Sequence, residues 1–107
     1  MKLLTRSEEF VLLAVWKLQE DAYTLEIRKR LSHITDQEWS LGSVFTPLER
    51  LARRRYLTSS LSASTPERGG RKKRIYSLTA DGRKALLKIR TVEKAMWSGV
   101  RGLALGS

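Results

Sequence analysis

The 107-residue sequence contains no cysteine and a single histidine, His33. These absences exclude a disulfide scaffold, a thiolate zinc site, a cysteine nucleophile and any multi-histidine metal centre. No long apolar run is present either. The longest lies within Phe10 to Leu18, is interrupted by Lys17 and falls short of the ~20 residues that a membrane span needs. Met1-Lys2-Leu3-Leu4 lacks the apolar stretch and small-residue cleavage pattern of a signal peptide, so a soluble cytoplasmic protein is expected, with no membrane partner. Acids are also scarce, with 11 Asp and Glu against 21 Lys and Arg, for a formal charge of +10. The length and a hydrophobic content of 41% predict one small domain. Such a domain buries only about 60–65% of its unfolded surface, which favours oligomerisation.

The positive charge is local. Between residues 50 and 74 stand Arg50, Arg53, Arg54, Arg55, Arg68, Arg71, Lys72, Lys73 and Arg74 against one acid, Glu67, while the rest of the chain is nearly neutral. A field confined to one segment is not a general solubility device and points to a polyanionic partner.

Ser7-Glu8-Glu9 followed by Phe10 to Leu18 reads as a helix with acids in its first turn, apolar nearly all round. A helix without a wide polar face is covered on two sides, by its own core and by a partner subunit. Thr24 is expected to cap a second helix with Ile27, Leu31 and Ile34 at i, i+4 and i+7. A third helix opens at Trp39–Ser43, with Val44, Leu48 and Leu51 beneath and Ser43, Thr46, Arg50 and Arg53 on the opposite face. Pro47 inside it removes a backbone donor and is expected to bend it.

Leu57–Leu61 and Lys73–Leu78 read as two strands joined by a basic loop around Thr65–Gly70. Thr79 then caps a last helix to about Ser98, carrying Leu86, Ile89, Val92, Met96 and Trp97 in one arc with Glu93 inside it. The expected fold is mainly α with a small β-hairpin wing: a winged helix-turn-helix over 1–78, a dimerisation helix over 79–98 and a flexible tail over 99–107.

The stretches GSVFTPLERLARRRYL and TPERGGRKKRIYSLTADGRKAL, with FVLLAVWKLQEDAYTLEIRKRL before them, resemble the PadR family of bacterial transcriptional regulators over about residues 6 to 90. The length resembles its short-tailed members, with one dimerisation helix after the wing. Three departures stand out: Phe45 where the family usually has Tyr, Pro47 one position later than its commoner place, and Arg55 in place of glycine. A non-glycine in the left-handed conformation costs on the order of 1 kcal/mol.

The third helix suits the DNA major groove, where short polar and arginine side chains reach base edges. Ser43, Phe45, Thr46, Arg50 and Arg53 are its candidate contacts, and Arg68, Arg71, Lys72 and Lys73 of the wing suit phosphates or the minor groove. Val11, Val15, Leu86, Ile89, Val92, Met96 and Trp97 are the candidate dimerisation residues. The resemblance implies a small aromatic or phenolic effector between the first and last helices, where Trp16, Glu93 and Trp97 are the candidate pocket. Glu93 could instead pair with a base across the dimer or be solvated at a frayed end. The expected protein is thus a homodimeric repressor of double-stranded DNA with a pseudo-palindromic site, needing no cofactor. The alternative is a basic RNA-binding or ribosome-associated protein, disfavoured by the scarcity of aromatics among the basic residues. Enzyme activity is not expected, since His33 lacks a Ser/Asp constellation.

Overall fold

A computed structural model of the chain describes residues 2–62 and 73–103. The Thr65–Gly70 loop, Arg68, Arg71, Lys72 and the end of the tail therefore lie outside the described residues. Four helices and one hairpin follow in the order α1 (Arg6–Leu18), α2 (Thr24–Thr35), α3 (Leu41–Arg53), β1 (Leu57–Leu61), β2 (Arg74–Leu78) and α4 (Ala80–Trp97), with a single 3-10 turn at Gln19–Asp21.

Helix α1 starts at a reciprocal cap. The Thr5 hydroxyl accepts from the Glu8 N–H at 3.1 Å, and the Glu8 carboxylate accepts from the Thr5 N–H at 2.8 Å, satisfying two donors that a helix start leaves open. Its apolar circumference divides cleanly: Val11, Leu12, Ala14 and Val15 are buried, whereas Leu13 and Trp16 face outward. Val11 and Val15, expected at a subunit interface, are thus already buried within the single chain as members of its own core.

The cap of α2 lies one residue earlier than expected: Tyr23 occupies the extended capping position without a side-chain bond, and Thr24 is the first helical residue. Ile27 and Leu31 are buried, but Ile34 is 57% exposed. It sits at the last turn, and the chain leaves the core through Asp36 in the left-handed conformation. The Ser40 hydroxyl caps α3 by accepting from the Ser43 N–H at 3.0 Å. Val44, Leu48 and Leu51 are all fully buried, as the spacing predicts. Pro47 is buried on the same side, so its ring adds to the core where its missing N–H leaves the helix one bond short.

After α3 the chain reverses through Arg55 at φ 62°, the left-handed position where glycine is usual. Its carbonyl accepts from the Thr79 hydroxyl at 2.7 Å, which fastens the turn to the start of α4. The two strands pair antiparallel, with Leu57 opposite Leu78, Ser59 opposite Tyr76 and Leu61 opposite Arg74. The outer edge of β2 is tied to the α1–α2 connection, since the Tyr76 N–H donates to the Ala22 carbonyl at 2.8 Å. Thr79 caps α4 by accepting from the Gly82 N–H at 3.0 Å, as its position in the sequence predicts. Within the described residues, no helix is long and apolar enough to cross a membrane.

Candidate nucleic-acid interface

Burial of Val44, Leu48 and Leu51 fixes the rotation of α3, and the opposite face follows. Ser43, Phe45, Thr46, Arg50 and Arg53 are all exposed along it. The arginines are not free in space. Arg53 reaches Glu49 one turn back at 3.7 Å, a solvent-exposed pair of small energetic weight. Arg50 leans toward α1, its Nε 3.7 Å from the carboxylate of Glu8. Arg54, which follows α3, approaches the same carboxylate at 3.3 Å. Two guanidinium groups thus converge on an acid whose side chain is only 3% exposed. An isolated buried carboxylate would be costly, so the arginines and the Thr5 N–H together make its burial tolerable.

Sequence reasoning placed Glu8 only in a helix's first turn and gave Arg54 no role. The available signal was the Thr5-x-x-Glu8 capping pattern, which commits that carboxylate to a fixed place on α1.

At the base of the wing, the Lys73 N–H donates to the Ser62 hydroxyl at 3.0 Å, and its ammonium sits 4.3 Å from the centre of the Tyr23 ring. Arg74 donates to Ser59 across the hairpin at 2.9 Å. Lys73 is therefore placed on the hairpin stem beside the start of α2. Arg68, Arg71 and Lys72 lie outside the described residues.

A second concavity lies between α1 and α4. Glu9, Leu13, Trp16, Leu78, Arg83, Leu86, Leu87, Arg90 and Glu93 line a cavity of about 440 Å³. Trp16 and Glu93 are thus brought together, but Trp97 does not line the cavity, since it stands a turn beyond Glu93 at the end of α4. The Arg83 guanidinium lies 5.4 Å from the centre of the Trp16 ring. Glu93 has a cation within the same chain: Arg6 Nη1 is 2.6 Å from its carboxylate. Arg6 also bonds Glu9 at 3.2 Å. Burial, then the hydrogen bond and negative charge of Glu93, push the Glu9 carboxyl above its ordinary value of 4.5, while Arg6 pulls it partly back.

On α4, Leu86 and Ile89 are partly buried against the core and Val92 is half-buried, while Leu87, Met96 and Trp97 are 61%, 73% and 62% exposed. Among the described residues, no group of acids and histidine is arranged to hold a metal ion.

The family model described as transcriptional regulator PadR-like family matches residues 12–88. A PadR-like transcription factor from Bacteroides fragilis is similar in structure, with a TM-score of 0.66 at 22% identity, covering 82% of this chain and 81% of that one. RosR from H. salinarum gives 0.68 at 19% identity, over 92% of this chain and 81% of that one. Bordetella bronchiseptica BpsR, a protein whose DNA binding is regulated by 6-hydroxynicotinic acid, gives 0.60 at 22% identity, over 92% of this chain and 68% of that one. No curated protein is significantly similar in sequence.

Proposed function

From the premise that this chain belongs to the PadR-like family of transcriptional regulators, we propose that it is a homodimeric repressor that binds a pseudo-palindromic operator. In this reading α3 enters the major groove, the basic wing grips flanking phosphates, and a small planar effector between α1 and α4 releases the DNA. The observation that carries the proposal is the division of α3 into a fully buried apolar face and an exposed face of Ser43, Thr46, Arg50 and Arg53, whose two arginines open the 50–74 segment that holds most of the net charge. A helix so divided offers donors and cations at the width of the major groove while its other side anchors it.

Support for an effector site comes from the cavity's make-up, an aromatic wall at Trp16 with Arg83 and Arg90 beside it. Support for a dimer comes from the exposed Leu87, Met96 and Trp97 of α4 and the outward Leu13 and Trp16 of α1. Leu13, Trp16 and Leu87 line one concavity, and exposed apolar surface gathered in this way on a small domain marks an interaction site.

The test is binding to DNA upstream of the protein's own gene, with shuffled DNA and RNA as competitors over a range of salt. The proposal expects a two-fold symmetric footprint and a log–log salt slope of roughly −0.9 per phosphate neutralised. Equal affinity for shuffled DNA at physiological salt, or preference for RNA, overturns it.

A further inference from the structure

The outward face of α3 is not wholly polar. Leu41 and Phe45, one helical turn apart, are 54% and 48% exposed, and Leu25 in the first turn of α2 is 42% exposed. Together with Thr24 and Gly42 these three line one shallow, open depression between the starts of the two helices. The backbone at Gly42 is uncrowded, since a Cβ there would meet no atom closer than the Ser40 hydroxyl at 3.9 Å. Core packing does not require this arrangement, because α3 is already anchored by Val44, Leu48 and Leu51 on the other side. Exposed Ser43 and Thr46 stand on α3 beside Phe45, so apolar and hydroxyl groups are interleaved at the end of the helix that would lead into a groove.

We propose that Leu41 and Phe45, with Leu25 at the margin, form an apolar reader for the C5-methyl groups of thymines in the major groove. The inference rests on the DNA-binding reading above and deepens it by naming the feature of the base pair that is read. On the major-groove edges of the bases the thymine methyl is the apolar feature, so an apolar cleft continuous with the groove-facing residues of α3 has it as its natural occupant. Phenylalanine suits this task because it offers a wide apolar face and no hydroxyl that must find a partner on leaving water. The spacing of Leu41 and Phe45, about 5–6 Å between the side-chain origins of residues one turn apart, lets them address neighbouring base pairs.

The test uses an operator obtained by selection from a randomised duplex pool, in which each thymine is replaced singly by deoxyuridine. That exchange removes the methyl and leaves the O4 acceptor and base pairing intact. By fluorescence anisotropy, wild-type affinity should fall about three- to fivefold at one or two thymines per half-site, as expected for withdrawing one methyl from an apolar contact. In Phe45→Ala or Leu41→Ala the thymine operator itself should bind more weakly, and deoxyuridine at those positions should cost little more. Ser43→Ala should keep the full deoxyuridine effect. Both apolar positions are about half exposed, so their variants should keep wild-type melting curves.

Wild-type indifference to deoxyuridine at every position, with operator binding intact, overturns the methyl reader and leaves the DNA-binding reading standing. An undiminished deoxyuridine effect in both alanine variants also overturns it. A shift of Phe45→Ala to monomer in sedimentation would assign the cleft to a second copy of the chain and overturn the proposal. Failure of the wild type to select or bind any duplex overturns the parent reading itself.

Discussion

Glu8 in the first turn of α1 and Arg54 just beyond α3 are 46 residues apart in sequence and meet at 3.3 Å, the carboxylate almost wholly withdrawn from water. The same acid closes the cap of α1 through its other oxygen. One side chain therefore sets both where α1 begins and how the end of α3 lies against it. Glu8→Gln keeps an oxygen for the Thr5 N–H and removes the charge. It should destabilise the domain by about 1–3 kcal/mol, read in urea denaturation, because two arginines lose their common counter-charge. Glu8→Ala, which also loses the cap, should cost about 1 kcal/mol more.

Arg50 shares that acid at 3.7 Å with half of its own side chain in solvent, so its two contributions separate experimentally. Arg50→Ala should change stability by no more than about 1 kcal/mol, since Arg54 retains the closer approach to Glu8. If it reads a base, the same variant should weaken the cognate site by about 1–3 kcal/mol and relax sequence preference. Arg71→Ala or Lys72→Ala should weaken all sequences evenly and flatten the salt slope. Anisotropy titrations on cognate and shuffled duplexes distinguish the two patterns.

Gly82 lies in the first turn of α4, where a Cβ would come within 2.2 Å of the Tyr56 carbonyl oxygen. That carbonyl already accepts the Thr79 N–H at 3.0 Å, so neither backbone can yield without losing the bond that seats α4 on the wing. Gly82→Ala should destabilise by roughly 1–3 kcal/mol in thermal melts, despite alanine being the better helix former. The close approach, not conformational freedom, makes glycine necessary here.

The elements themselves were legible because period and capping agree. Val44, Leu48 and Leu51 repeat at the helical interval, Thr79 stands where a cap is needed, and the strands are bounded by turn residues. Rotation was legible only where a helix has a polar side. Helix α1 has almost none, and periodicity could not distinguish Val11 and Val15, which are buried, from Leu13 and Trp16, which are not. Long-range electrostatics were hidden for another reason: nothing local marks Arg6 as the partner of Glu93, 87 residues away. On the candidate interface, the polar residues of α3 could be read from its pattern. The apolar cleft could not, because it needs Leu25 from a different helix.

The Glu9 carboxyl is held above its ordinary value of 4.5, first by burial and then by Glu93. The folded protein therefore keeps this proton to a higher pH than the unfolded chain does. Its contribution is favourable at low pH and is lost as pH rises from the unfolded value through the folded one. Glu9→Gln, which stays neutral throughout, should raise the melting temperature relative to wild type at neutral pH. The difference should shrink toward zero by about pH 4, where both forms of the wild-type group are largely protonated. Melting curves of the two proteins across that range check the sign.

The end of α4 tests the assembly. Met96 and Trp97 are 73% and 62% exposed in the single chain, and Leu87 is 61% exposed, so substituting these positions leaves the domain's own core intact. Ile89 is a poorer probe, because it packs against that core and Ile89→Asp would unfold the monomer whatever its effect on a partner. Covering such side chains at ~25 cal/mol per Å² supplies several kcal/mol to association, and a carboxylate placed among them would have to be desolvated. Met96→Asp should therefore convert a micromolar dimer into a monomer with an unchanged circular dichroism spectrum. Operator binding should weaken sharply, because two recognition helices held one DNA turn apart bind a symmetric site as a unit and a single one does not. Sedimentation of the wild type as a folded monomer at the same concentration would remove the basis for the two-fold operator.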